Sequence, residues 1–297
     1  MKTRHPQRPT EDGEPDLAID RSARVLSAEL PIRAELLYIG GLGAILFLVG
    51  LALDWQFLRL ISKPWPVVAL ARWVLNESRE RKRPELRTTA YALIAGATGD
   101  VFLEIGPSSF VLGVAAFLVG HVFYIQALHR ETVELHPLRA LPGLAFVSVV
   151  VGVLAPELPR TLLVAFTVYA LAIAGLVFRA AARADSPSVE QRWARLGLLG
   201  ACVFAVSDAV LAINRFHTDV PGGRYLVIVT YWTAQALLAA SLVRGAKPWA
   251  PKETPEALEP TETTSNLATG SSDETSSEPA LEQGTPEPVH TEETPEA

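Results

Sequence analysis

The sequence predicts an all-α fold, a polytopic membrane bundle of about eight transmembrane helices, and three observations carry that prediction. Hydrophobic residues make up 49% of the 297. Mean hydropathy is +0.24 although both ends of the chain are polar. The apolar residues come in long runs separated by short polar connections. Such a run crosses a bilayer at ~20 residues, or fewer where polar side chains turn toward a protein interior. Lipid offers no partner to a backbone amide, so runs of this kind are helices rather than open strands.

Taken in order, the predicted spans are 34–53, 63–76, 87–104, 109–128, 138–155, 161–179, 194–213 and 224–243. The first is uncharged after Glu35. The second opens on "KPWP", is short, contains Arg72, and must extend into "NESRERKRP" to reach across. The third, "RTTAYALIAGATGDVFLE", carries no charge from Thr88 to Gly99. The fourth holds His121; the fifth and sixth carry charge only near their ends. The seventh holds Asp208, and the eighth the polar pair Tyr231 and Gln235. Three regions follow: a polar N-terminal segment at 1–33, a membrane domain at 34–244, and a tail at 245–297.

Residues 251–297 carry eleven Glu and Asp273 against Lys252, a net of −11, while residues 1–250 carry about +5. That tail, rich in Pro, Glu, Thr and Ser, cannot bury a core and is expected to be disordered and cytoplasmic. Residues 1–30 are charged through Arg24 with no apolar h-region, which reads as a disordered segment and not as a signal peptide. A single cysteine, Cys202, allows neither an intrachain disulfide nor a Cys-based metal site.

Lys and Arg in the connections set the expected orientation. With the N-terminus inside, cytoplasmic segments near the spans hold seventeen, including the cluster Arg79, Arg81, Lys82, Arg83 and Arg87. The opposite segments hold five: Arg59, Lys63, Arg160, Arg215 and Arg224. Positive charge stays on the cytoplasmic side, so both termini are expected there, in a bacterial plasma membrane.

Against this background, polar groups inside spans point to function, because an ionised carboxylate at bilayer depth costs a few kcal/mol or more. Asp100 lies past the middle of the third span, in "GDVFLE". Asp208 lies in the seventh, in "SDAVLAINRF". Both spans run outward in this topology, so the two acids share a depth, which points to two parallel four-helix halves. In "GHVFYI", His121 and Tyr124 fall on one helix face with Phe117; in "TYWTAQALL", Tyr231 and Gln235 are four apart. Lys63, Asn214 and Arg215 lie at outer helix ends, and Glu104 lies one turn beyond Asp100. Each has a bland reading beside the functional one: a snorkelling lysine, a packed histidine, an interhelical hydrogen bond, or a helix cap for Asp100.

Together, "KPWP", "GDVFLE", "GHVFYI", "SDAVLAINRF" and "TYWTAQALL" resemble the YhhN-like family, in its order and over roughly residues 35–243. The resemblance implies a membrane hydrolase of lysoplasmalogenase type. Such an enzyme cleaves the vinyl ether of a lysoplasmalogen to a fatty aldehyde and a glycerophospho-headgroup. It places the family's two aspartates on Asp100 and Asp208, implies no cofactor, and makes an ether lysophospholipid in the bilayer the partner. The chemistry suits two acids. Protonating the β-carbon of an alkenyl ether creates an oxocarbenium ion, to which water adds. One carboxyl donates the proton and the other activates water or balances the cation. His121, Tyr124, Tyr231 and Gln235 would orient water or the carboxyls, while Lys63 and Arg215 would meet the phosphate.

Two other readings fit less well. A zinc-dependent membrane amidase similar to the alkaline ceramidases wants about three ligands rich in His, and only His121 lies well inside a span. A proton-coupled transporter of small molecules or lipids also uses intramembrane acids, but would want spans broken by Gly or Pro near the midplane. A retinal protein needs a lysine in the interior of a span, and Lys63, at the very end of the second, is the only one in any span. Nothing supports nucleic-acid binding, since topology accounts for the basic cluster at 79–87.

The orientation is checked by reporter fusions. Fusions after Arg87 and Arg195 report cytoplasm, and fusions at Gly106 and Gly222 report the opposite side. A cytoplasmic signal at Gly106 would overturn the topology.

Overall fold

The computed structural model describes residues 34–133 and 136–245; the segments expected to be disordered, 1–33 and 246–297, lie outside them. Among the described residues the chain is all-helical, without strands. Its helices are α1 (Ala34–Ala52), α2 (Gln56–Ser62), α3 (Trp65–Glu80), α4 (Leu86–Ile105), α5 (Phe110–Glu131), α6 (Ala140–Leu154), α7 (Arg160–Ala184), α8 (Gln191–Phe216) and α9 (Gly223–Gly245). Eight of them coincide with the expected spans. The short α2, which the sequence reading left as a connection, joins the first two. As expected, α3 runs on through "NESRE".

Six segments are long and apolar enough to cross a membrane by length and composition: α1, α5 and α6 with their flanking turns, α7, α8 and α9. The other two fall short, α3 through its length of 16 residues and α4 through its polar side chains. In α4 eleven of twenty residues are buried, Asp100 and Glu104 among them. In α3 the buried set includes Glu77 and Ser78. Both helices turn polar side chains into the protein.

The packing repeats. In the first half α1 packs on α3, α3 on α4 and α4 on α5; in the second, α6 packs on α7, α7 on α8 and α8 on α9. The halves meet where α5 lies on α7 and where α9 lies on α3, the same relation reciprocated. In each half the last two helices make the most extensive contact. Small residues let them approach: Gly120 of α5 faces the Ala92 carbonyl, and Gly200 of α8 faces the Ala234 carbonyl. Fully buried Leu93, Leu128, Leu176 and Leu238 fill the space between.

At the end expected to be cytoplasmic, a buried ionic cluster ties the halves. Arg183 of α7 is fully buried. Its Nε meets Glu131 of α5 at 2.5 Å, and its other nitrogens donate to Ser241 Oγ at 2.7 Å and to the Ser241 carbonyl at 2.9 Å on α9. Arg83, between α3 and α4, reaches Glu131 at 3.5 Å and the Val243 carbonyl at 3.0 Å. Arg179 donates to the Thr132 carbonyl. Removing one partner of such a pair strands the other in a low-dielectric site. Arg183→Met is therefore expected to lower stability by about 3–5 kcal/mol, and Arg183→Met with Glu131→Leu by less. Unfolding in detergent micelles measures both.

Candidate active site

The α4 helix continues unbroken through Asp100 and ends at Gly106, whose φ of +153° excludes a side chain without strain. Asp100 is therefore mid-helix and not a cap, with 1% of its surface exposed. It faces a cavity of about 410 Å³ that Asp208 of α8 also lines. Lys63, Glu104, Asn214, Arg215 and Tyr231 line the same cavity, at the end assigned to the outside. Seven of the ten candidate residues thus meet in one space. His121, Tyr124 and Gln235 do not line it; they form the layer behind.

The two acids sit in different surroundings. Lys63 Nζ lies 4.0 Å from Asp100 Oδ1 and 3.4 Å from Glu104 Oε2. The Lys63 side chain is thus turned into the protein and does not snorkel. Tyr231 is close enough to Asp100 to interact with it, although Asp100 Oδ2 and the Tyr231 hydroxyl are buried without an ideal hydrogen bond among the described residues. Asp208 instead accepts a hydrogen bond from Tyr169 Oη, 2.6 Å from Oδ2. His121 Nε2 lies 3.7 Å from the same oxygen. The ring's Nδ1 donates to the Phe117 carbonyl at 2.8 Å, so the neutral imidazole presents a lone pair at Nε2 toward Asp208. A proton held by either group then lies between them.

Behind Asp100, Tyr124 donates to Gln235 Oε1 at 2.5 Å, joining the two polar pairs read from α5 and α9. Aromatic edges connect the sides of the site: His121 packs on Phe204 and Tyr169, and Tyr231 on Phe204 and Phe117. Among the described residues no group of three His, Cys, Asp or Glu side chains is arranged to hold a metal.

Glu104 carries more structure than its place near the helix end indicates. It binds Arg59 Nε at 2.6 Å, Lys63 at 3.4 Å and Arg224 at 3.3 Å. Arg215 stacks on Phe110 with its guanidinium 5.1 Å from the ring centre. Asn214 lines the cavity but also caps the α8–α9 connection, accepting the Val220 amide at 2.9 Å. Tyr169, Arg59, Arg224 and Ser207 escaped the sequence reading. Tyr169 left a signal, a hydroxyl inside the apolar "FTVYALAIA". Arg59 and Arg224 registered only as topology charges.

The model of the YhhN family matches residues 58–242, nearly all of the helical bundle and its cavity. The chain belongs to the YhhN family. Among curated relatives it is 35% identical over 161 residues to a pig protein named lysoplasmalogenase TMEM86B, a match covering 52% of this chain and 63% of that one. To human lysoplasmalogenase TMEM86A it is 33% identical, over 52% of this chain and 65% of the relative. To a Mycobacterium bovis lysoplasmalogenase it is 31% identical, over 54% of this chain and 62% of the relative. The match thus covers less than two thirds of the length of each of these three. No solved structure matches the chain. The family's matched region includes both aspartates and every cation around them.

One close approach is specific enough to test. A Cβ at Gly96, one turn before Asp100, would sit 2.8 Å from Gln235 Nε2 and 2.9 Å from Tyr231 Oη. These are side-chain ends that can move. Gly96→Ala is expected to fold, since a helix-propensity gain of about 1 kcal/mol offsets part of an overpacking cost of about 1–3 kcal/mol. It displaces Tyr231 from Asp100, so turnover should drop by roughly tenfold with little change in melting temperature. Parallel activity and melting measurements check it.

Proposed function

We propose that this protein is a membrane hydrolase that cleaves the vinyl ether of lysoplasmalogens. The reading rests on one observation above others: two aspartates, one from each half, line a single buried cavity whose mouth is rich in cations. The names of its relatives point the same way. Water, a lysolipid headgroup and two carboxyls fit that space, and an oxocarbenium-like state flanked by two acids is stabilised electrostatically.

In this mechanism the side chains divide the work. One carboxyl protonates the alkenyl β-carbon. The other takes a proton from the water that adds to the cation, and the hemiacetal then collapses to aldehyde and alcohol. Tyr231 and the Tyr124–Gln235 pair position the Asp100 side; Tyr169 and His121 position Asp208. Arg215 and Arg224, both exposed at the cavity mouth, suit an anionic phosphate. Lys63 is engaged with Glu104 and Asp100, and serves charge balance inside the site more than headgroup contact.

Purified protein given a lysoplasmalogen is expected to release fatty aldehyde, and none from the matched acyl lysolipid. Fatty acid or amine in place of aldehyde would favour an esterase or amidase, and no product from either lipid would favour a transporter. Asn nearly matches the shape of Asp but cannot act as acid or base. Asp100→Asn and Asp208→Asn should therefore insert and fold, each losing roughly 10²–10⁴-fold in turnover. The double variant should lose far less than the product of the two losses. Near-normal turnover in either single variant would sink the paired-acid mechanism.

A further inference from the structure

Two smaller cavities touch the site, and both reach only one of its acids. A slot of about 60 Å³ between α5, α7 and α8 is walled by Val114, Leu162, Ala165 and Phe166, and ends on Asp208 and Tyr169. A second, about 20 Å³, lies between α6, α7 and α8 and also ends on Asp208 and Tyr169. Neither is lined by Asp100. The slot shares Phe110, Phe117, Leu211 and Asp208 with the main cavity, so these four form the boundary between an apolar and a polar compartment. Its wall includes Val111, which is 61% exposed. Lys63, beside Asp100, and Arg224, on Glu104, line the main cavity alone, while Arg215 stacks on the boundary ring of Phe110.

From this order of compartments, and resting on the vinyl-ether reading above, we infer that the substrate's alkenyl chain occupies the α5–α7–α8 slot, which makes Asp208 the proton donor and Asp100 the base for water. Along the substrate the sequence of groups is chain, β-carbon, α-carbon, ether oxygen, glycerol, phosphate. Along the protein it is apolar slot, Asp208, Asp100, then Lys63 and Arg224 with Glu104. Only one threading matches the two. The carbon that must be protonated is the one joined to the chain, and it meets Asp208 at the slot's inner end. The α-carbon, which takes water, lies toward Asp100 and the Lys63 ammonium beside it.

Protons and bonds balance in that arrangement. Asp208 gives its proton to the β-carbon, and the C=C electron pair forms the new C–H bond. Water adds through oxygen to the α-carbon while its proton passes to Asp100. The hemiacetal hydroxyl then returns a proton to Asp208 as the bond from the α-carbon to the glycerol oxygen breaks. That oxygen takes the proton from Asp100, and both acids are restored.

Two measurements test the assignment. Ala165 is exposed at the slot's mouth, so Ala165→Phe narrows the exit with little burden on folding. A chain of about sixteen carbons must pass that point and one of about four ends before it. The ratio of kcat/KM for long over short alkenyl lysolipid should fall at least about tenfold, the worth of roughly two buried methylenes. In the second measurement azide, a nucleophile that needs no base, is added to the Asn variants, and consumption of substrate with formation of the α-azido ether is followed. Azide should restore Asp100→Asn by about tenfold or more and leave Asp208→Asn inactive. An unchanged chain-length ratio, rescue of Asp208→Asn instead, or rescue of neither variant overturns the inference while leaving vinyl-ether hydrolysis standing. Wild-type protein that releases aldehyde from neither lipid fails the function reading itself, and this inference with it.

Discussion

The carboxylate of Glu104 holds together most of what surrounds the cavity. Three cations from three places in the chain converge on it: Arg59 from α2, Lys63 from the α2–α3 turn and Arg224 from the first turn of α9. A low-dielectric setting leaves little choice, because Arg59 is 7% exposed and would otherwise carry an unpaired charge. Arg59 spans further, to Asp54 at 2.8 Å and toward the Gly50 carbonyl, pinning the end of α1. Gln56 completes the arrangement by donating to the Glu104 and Ile105 carbonyls at 3.1 Å, two of the acceptors that a helix leaves unpaired at its C-terminus. Pairs of this kind need not raise net stability. They fix geometry, and here the geometry fixed is that of Lys63 against Asp100.

The same physics acts at the opposite end, where Glu131 is shared by Arg183 and Arg83. Between these two ionic layers the interior is aromatic and aliphatic, with His121 wedged edge-on between Phe204 and Tyr169. The bundle thus has two charged ends and an apolar middle, and the aspartates sit where the outer charged layer gives way to it. That border is where a lysolipid would need its polar and apolar parts separated.

The fold was readable in the sequence because lipid imposes a coarse rule. Apolar runs become helices, and the runs at 109–128, 161–179 and 194–213 returned as α5, α7 and α8 with shifts only at their ends. Two members of the bundle tested that rule: α3 is too short and α4 too polar to stand as a span alone, and both take their place through packing. The pairs Phe117–His121–Tyr124 and Tyr231–Gln235 were legible from helical spacing, and they meet as Tyr124 on Gln235. What the sequence hid was each acid's choice of partner. Tyr169 is 39 residues from Asp208 and Arg224 is 120 from Glu104, and local spacing carries no information about such contacts. The helix α2 was hidden for another reason, since its apolar "FLRLI" is too short to span and its buried arginine, Arg59, reads as a loop charge.

The repeat of the two halves explains why two aspartates occur, and its imperfection explains why they differ. Equivalent helices bring Asp100 and Asp208 to one space by the same pairings, α4 on α5 and α8 on α9. A strict repeat would give both acids the same neighbours. Instead the connection before α3 delivers an ammonium to Asp100, while α7 runs past Asp208 and offers a phenol. His121, on α5, faces Asp208 across the boundary between the halves. Two identical acids would compete for one protonation state. A cation beside one, and a phenol and an imidazole beside the other, give the two acids different surroundings within one space.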